Sequence, residues 1–215
     1  MASGLSSMYR SLYNRFGPQH WWPADSPFEV MVGSILTQNT SWANVEKAIN
    51  NLKRKNLLAP RKLYGLSLRT LAAYLRPCGY YNVKAKRLKN FLSYFIGTYA
   101  GGTTAMARQG TERLRRELLA VSGIGPETAD SILLYALHKP VFVVDAYTKR
   151  ILSRHAILGE QADYHAVQAM FMRTMKPDVR LCNEYHALLV RLGKEYCHKR
   201  KPRCIQCPLK VKEKS

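Results

Sequence analysis

Apolar residues recur along this chain with the spacing of one helix face. Val45, Ala48, Ile49 and Leu52 fall at i, i+3, i+4 and i+7, and so do Leu88, Phe91, Leu92 and Phe95, and again Tyr185, Leu188, Leu189 and Leu192. Val167, Met170 and Phe171 give a shorter stripe of the same kind. In a strand these positions would scatter to both faces, so each stripe predicts a helix laid against a core. Gly17-Pro18, Pro23 to Pro27, Ala59-Pro60, Arg76-Pro77, Gly101-Gly102, Gly123 to Pro126, Pro140 and Pro177 punctuate the pattern. The strand-like run Val141-Phe142-Val143-Val144 is too short and isolated to build a sheet. No internal repeat is present, and the predicted fold class is all-α.

Charge narrows the partners. Thirty-four Lys and Arg against fourteen Asp and Glu leave a formal net charge of +20. A surplus of that size attracts a polyanion, nucleic acid first and an anionic membrane second. No apolar run approaches the ~20 residues of a spanning helix, which speaks against a membrane protein. The start, Met1-Ala-Ser-Gly-Leu-Ser-Ser-Met8, lacks a charged region followed by an apolar one, so no secretory signal is expected. A cytoplasmic, nucleoid-associated protein is expected, and in a reducing interior its five cysteines read as free thiols or metal ligands.

The most informative stretch is Leu119-Ala-Val-Ser-Gly-Ile-Gly-Pro-Glu-Thr-Ala-Asp-Ser-Ile132. An amphipathic helix with Leu114, Leu118 and Val121 on one side runs into Gly123-Ile124-Gly125, and Pro126 suits the first position of the next helix. Two glycines one residue apart permit a tight turn and close approach by a partner. The turn would aim backbone N–H groups outward as a cradle for a DNA phosphate. Further on, an apolar run ends in Asp145, where burial can tune a carboxylate. Read alone, an aspartate there is an ordinary helix N-cap.

Taken together, these segments resemble the helix-hairpin-helix DNA glycosylases of the endonuclease III kind. The family's L-P-G-[VI]-G-x-x-T-A reads here Val121-Ser-Gly-Ile-Gly-Pro-Glu-Thr-Ala129, and its V-D-T-x-[VA] reads Val144-Asp-Ala-Tyr-Thr148. Pro27-Phe-Glu-Val-Met-Val-Gly-Ser-Ile-Leu-Thr-Gln-Asn-Thr40, Gly79-Tyr-Tyr-Asn-Val-Lys-Ala85 and the helix Tyr185 to Cys197 match three more of its segments in order. The resemblance implies two helical lobes, residues 26–139 with the hairpin and residues 1–25 plus 140–215, with DNA in the cleft between them. It implies that Asp145 is the catalytic carboxylate, stabilising a cationic sugar and steering water. Gly123, Gly125, Thr128 and Lys149 would contact DNA. Gln38 and Asn39 fall where relatives fill the gap left by a flipped base; a polar pair on a helix surface is the plainer reading. The expected partner is double-stranded DNA carrying a damaged base, bound by a monomer.

Two departures refine the expectation. Members that also cleave the strand carry a lysine where this chain has Glu127, and a carboxylate cannot form an imine. That argues for hydrolysis by water alone, although Lys139 and Lys149 lie near enough in sequence to offer a relocated amine. Trp21, Trp22 and Trp42 are either core residues or the walls of a base pocket. Gly17-Pro-Gln-His-Trp-Trp-Pro23 resembles the 3-methyladenine glycosylase III subgroup, which implies an alkylated purine held against indole faces. A glycosylase/lyase and a non-catalytic damage-binding module are the competing readings.

Cys197, Cys204 and Cys207 occupy three of the family's four cluster positions, and Glu213 stands at the fourth. The resemblance implies a [4Fe–4S] cluster held by the three thiolates, with Glu213 completing the set. A zinc site recruiting His198, or three idle thiols, stay open. Cys78 and Cys182 read as structural, and Lys199, Arg200, Lys201 and Arg203 as phosphate contacts.

Overall fold

The computed structural model describes residues 2–159, 161–176 and 178–210, and among them all regular structure is helical. The helices are α1 (Ala2–Phe16), α2 (Pro27–Leu36), α3 (Trp42–Arg54), α4 (Pro60–Gly65), α5 (Leu68–Leu75) and α6 (Tyr81–Tyr99). They are followed by α7 (Thr103–Ala107), α8 (Thr111–Ala120), α9 (Pro126–Ser131), α10 (Ala146–Arg154), α11 (Tyr164–Thr174) and α12 (Val179–Glu195). No helix among the described residues is long and apolar enough to cross a membrane. The chain divides into two compact units, Ala24–Lys139 and the remainder, in which the segment through Pro23 joins the segment from Pro140 onward.

In the Ala24–Lys139 unit, α2 begins where Ser26 Oγ accepts from the Glu29 amide at 3.2 Å, with Pro27 at a position where its missing N–H costs nothing. Every residue from Phe28 to Leu36 is buried, so α2 is a central strut. Its one carboxylate, Glu29, is met in the interior by Lys53 Nζ at 2.7 Å. The predicted stripes on α3 (Val45, Ala48, Ile49, Leu52) and α6 (Leu88, Phe91, Leu92, Phe95) are buried. Phe95 stacks on Phe91 and Phe28, with ring centroids 5.5 and 6.1 Å apart.

In the other unit, Tyr185 of α12 is the pivot. Its ring meets Phe171 and Phe142 edge-on, at 5.4 and 5.9 Å, while those two rings stack at 3.7 Å. Its hydroxyl donates to the Leu5 carbonyl at 2.9 Å and ties α1 to α12. This aromatic cluster also buries the extended segment Val141–Val144. The segment joins no ladder because side chains satisfy its backbone: Gln168 Nε2 donates to the Phe142 carbonyl at 2.8 Å, and the Val144 amide donates to the Tyr164 hydroxyl at 3.3 Å. An immobilised segment therefore delivers the chain to Asp145.

Candidate active site and nucleic-acid interface

Asp145 is the N-cap of α10, with an extended backbone and a side-chain Oδ1 that accepts from the Thr148 amide at 2.7 Å. The cap and catalytic readings are thus compatible, since one oxygen holds the helix and the other stays available for chemistry. Oδ2 lies 3.7 Å from His186 Nε2, and the carboxylate is 12% exposed. Burial holds the His186 imidazole below its ordinary pKa, against the upward pull of Asp145. At neutral pH the group behind Asp145 is therefore uncharged and does not cancel the carboxylate's field.

The helix that Asp145 caps is bolted to the cysteine loop. Arg150 Nε donates to the Cys197 carbonyl at 2.8 Å, and its Nη2 to the Gly193 carbonyl at 3.3 Å. Arg154 donates to the His198 and Lys199 carbonyls at 2.6 and 3.0 Å and to Cys197 Sγ at 3.2 Å. The Tyr147 ring lies so close to Gly193 that a Cβ there would sit 2.2 Å from it. Lys149 is half-buried on the same helix.

Cys197 and Cys207 are buried and Cys204 is exposed. Burial raises the Cys207 thiol, and the neighbouring Cys197 and Cys204 raise it further, so the three sulfurs share one locality. Among the described residues, however, no group of three or more His, Cys, Asp or Glu side chains is arranged to hold a metal ion. Glu213 lies outside the described residues. Cys78 and Cys182 are buried, and burial pushes the Cys182 thiol up to about 11.

In the Ala24–Lys139 unit the hairpin is clamped from behind. Gly123 has φ +95° and is backed by Arg87: a Cβ would stand 2.3 Å from the Arg87 Cγ. Gln38 Nε2 donates to the Gly123 carbonyl at 3.1 Å and to the Thr128 hydroxyl at 2.9 Å, and its own oxygen accepts from Arg87. Asn90 Nδ2 donates to the Ser122 carbonyl at 3.0 Å. The second glycine differs, because a Cβ on Gly125 would meet no protein atom within 4 Å. Gly123 is thus required by the chain's own packing, and Gly125 leaves room outside the turn. The first intrahelical bond of α9 is donated by Ala129 to the Gly125 carbonyl, so the amides ahead of Ala129 precede the ladder.

Two of the residues expected at the DNA also brace the hairpin internally. Thr128 is buried, and its hydroxyl accepts from Gln38. Gln38, expected to reach into DNA, is committed to the same brace, which leaves exposed Asn39, with φ +54°, as the outward member of the pair. Glu127 is exposed beside the hairpin. All three tryptophans are half-buried. Trp21 and Trp22 meet edge-on at 5.8 Å, with Lys194 Nζ 5.7 Å from the centre of the Trp21 ring, while Trp42 belongs to the other unit.

A family model for the HhH-GPD superfamily of base excision DNA repair proteins matches residues 32–177, more than half of the chain. The chain belongs to that superfamily. Consistently, it is 48% identical to a DNA repair glycosylase so named in Methanocaldococcus jannaschii, over 96% of this chain and 94% of that one. Among solved structures, the H. pylori 3-methyladenine DNA glycosylase bound to 1,N6-ethenoadenine matches with a TM-score of 0.74 and 28% identity, over 90% of this chain and 95% of that one. A non-covalent endonuclease III–DNA complex matches with a TM-score of 0.83 and 21% identity, over 97% and 93%; this likeness shows the HhH-GPD fold.

Sequence reasoning missed several residues that this HhH-GPD chain uses to position the site. His186 sits in the quoted Tyr185–Cys197 segment, and Arg150 and Arg154 follow the Val144–Thr148 segment, but their partners are distant in sequence. Tyr80 carried a signal: it follows Gly79 in the matched Gly79–Ala85 motif, has φ +45°, and is 73% exposed. A large aromatic held outward in the left-handed region is uncommon.

Proposed function

We propose that this HhH-GPD glycosylase hydrolyses the N-glycosidic bond of a flipped alkylated purine, using water as the nucleophile and Asp145 as the catalytic carboxylate. The observation that carries the reading is the Asp145 carboxylate itself: mostly buried, fixed at one oxygen, and backed by an uncharged imidazole. As the bond from C1′ to the base nitrogen breaks, its electron pair leaves with the base and the sugar becomes cationic. The fixed negative charge stabilises that cation, and the carboxylate accepts the proton of the water that bonds to C1′. An alkylated purine such as 3-methyladenine is already cationic and departs neutral, so one carboxylate suffices. Glu127 supports the water route, since the hairpin lysine that would form an imine is replaced. The ethenoadenine bound to the H. pylori relative supports an adenine-derived lesion.

Oligonucleotides bearing 3-methyladenine-type, oxidised, deaminated or mismatched bases separate the alternatives. The expected result is release of the alkylated base with an intact abasic strand and no adduct trapped by borohydride. A trapped adduct would place the protein with the strand-cleaving enzymes and implicate Lys139 or Lys149. Binding without release from any lesion would favour the non-catalytic module.

Cys197, Cys204 and Cys207 lie near one another, and the Arg154 guanidinium donating to the Cys197 sulfur favours its thiolate; we extend the proposal to a [4Fe–4S] cluster at these residues. When bound, the cluster would supply rigidity to the basic loop; no step of base excision passes through it. Protein purified without oxygen should be brown and contain iron. A colourless, metal-free and fully active protein would end this part of the reading.

A further inference from the structure

A second basic site lies on the Ala24–Lys139 unit, away from the hairpin clamp. Helices α5 and α6 border a groove of about 470 Å³ whose lining includes Arg69, Arg76 and Lys86, with Tyr81, Asn82 and Leu68. No carboxylate lines it. The three cations are exposed and take part in no salt bridge among the described residues. The Arg76 guanidinium lies 6.0 Å from the centre of the Tyr81 ring, which orients a planar, two-pronged donor. Leu68, Tyr80 and Val83, on or beside this surface, are 52%, 73% and 46% exposed, an apolar fringe that a solvated helix face does not need.

We infer that this groove holds the phosphodiester backbone of DNA, as a contact separate from the hairpin. The inference rests on the DNA-binding reading of the family. Three unpaired cations without a carboxylate match a uniformly charged strand better than a protein surface of mixed sign. Arg76 offers the fork geometry that phosphate oxygens accept in pairs. Position agrees with chemistry. Asn82 and Lys86 are one turn apart on α6, and Arg87 and Asn90, which clamp the hairpin, follow on the adjoining face of the same helix. Four residues of helix rise about 6 Å, so along the α6 axis Lys86 and Asn90 are about one nucleotide apart. A backbone seated on the hairpin therefore passes within reach of the groove. Exposed Tyr80 heads α6, N-terminal to both.

The test is the salt dependence of binding to an undamaged duplex, measured for the wild type, for Arg69→Ala/Arg76→Ala/Lys86→Ala, and for Gly125→Glu in the hairpin. All three groove positions are exposed, so that variant should fold, and Arg69→Lys/Arg76→Lys controls for charge alone. With the groove on the DNA path, the triple variant should lower the log–log salt slope by about 2–3 (roughly 0.9 per phosphate contact), with the lysine variant close to wild type. A triple variant with wild-type slope and affinity, alongside a weakened Gly125→Glu, would overturn the inference and leave the DNA-binding reading intact. If neither variant weakens binding, the DNA-binding reading falls as well. Polyglutamate that competes for the groove as strongly as DNA of equal charge would assign it to an acidic protein segment and overturn the inference.

Discussion

Asp145→Asn should leave the fold and DNA affinity in place while base release falls by on the order of 10²–10³-fold, the scale of losing a positioned electrostatic stabiliser. The substitution is clean for a structural reason. Asn retains an Oδ1 that can accept from the Thr148 amide, now at 2.7 Å, so the cap of α10 survives, and Asn is as good a cap as Asp. Arg150 and Arg154 still bind α10 to the cysteine loop, because their acceptors are the Cys197, Gly193, His198 and Lys199 carbonyls and the Cys197 sulfur. Only the charge changes, and the amide's Nδ2 then faces the buried His186 imidazole. Single-turnover release from a lesion-bearing duplex, read beside a binding isotherm and a thermal melt, separates the contributions. An unaltered melt and isotherm with a slow release step is the expected triad. Near-normal release would remove Asp145 from the mechanism and return it to the role of a cap.

The parts of this protein that were legible in its sequence are those specified by local pattern. The stripe Tyr185, Leu188, Leu189 and Leu192 is buried as its period requires, because a 3.6-residue repeat can hide on one side of a helix only. The turn at Gly123 was likewise readable, and its φ of +95° explains why glycine stands there. What was not legible depends on pairs remote in sequence. Gln38 reads as a polar residue at a helix end, and its role as a brace appears only once Gly123, Thr128 and Arg87 converge on its amide. Thr128 carries the family's motif, but the motif does not say whether its hydroxyl faces a ligand or the interior. Val141–Val144 has strand composition without strand pairing, because Gln168 and Tyr164 supply what a neighbouring strand would. Helix α9 continues directly into a π turn, Ile132–Ala136, beginning where the Ser131 hydroxyl donates to the Glu127 carbonyl at 2.7 Å. A side chain that competes for a helix carbonyl in this way leaves no periodic trace.

Arg115→Met should be the most destabilising single change at the hairpin, costing about 3–5 kcal/mol. Arg115 on α8 reaches Asp130 on α9 with two parallel bonds, Nε to Oδ1 at 2.7 Å and Nη2 to Oδ2 at 3.1 Å. The Asp130 side chain is fully buried and that of Arg115 is 17% exposed, so the pair is held away from the water that would otherwise solvate the carboxylate. Methionine fills much of the arginine stem's volume, and the loss is therefore electrostatic: the buried carboxylate loses its two-bond ion-pair partner. The two residues join the helices on either side of Gly123–Gly125, so the damage should centre on the turn. In a chain of this size the cost corresponds to a fall in melting temperature of roughly 10 °C. DNA affinity should fall with it at temperatures where the wild type is unaffected. Adding Asp130→Leu to Arg115→Met should recover much of the stability, because the buried charge is removed together with its ion-pair partner. A thermodynamic cycle over the four proteins measures the coupling. A single variant that melts within a degree or two of wild type would mean that Gln38, Arg87 and Asn90 hold the hairpin without this pair.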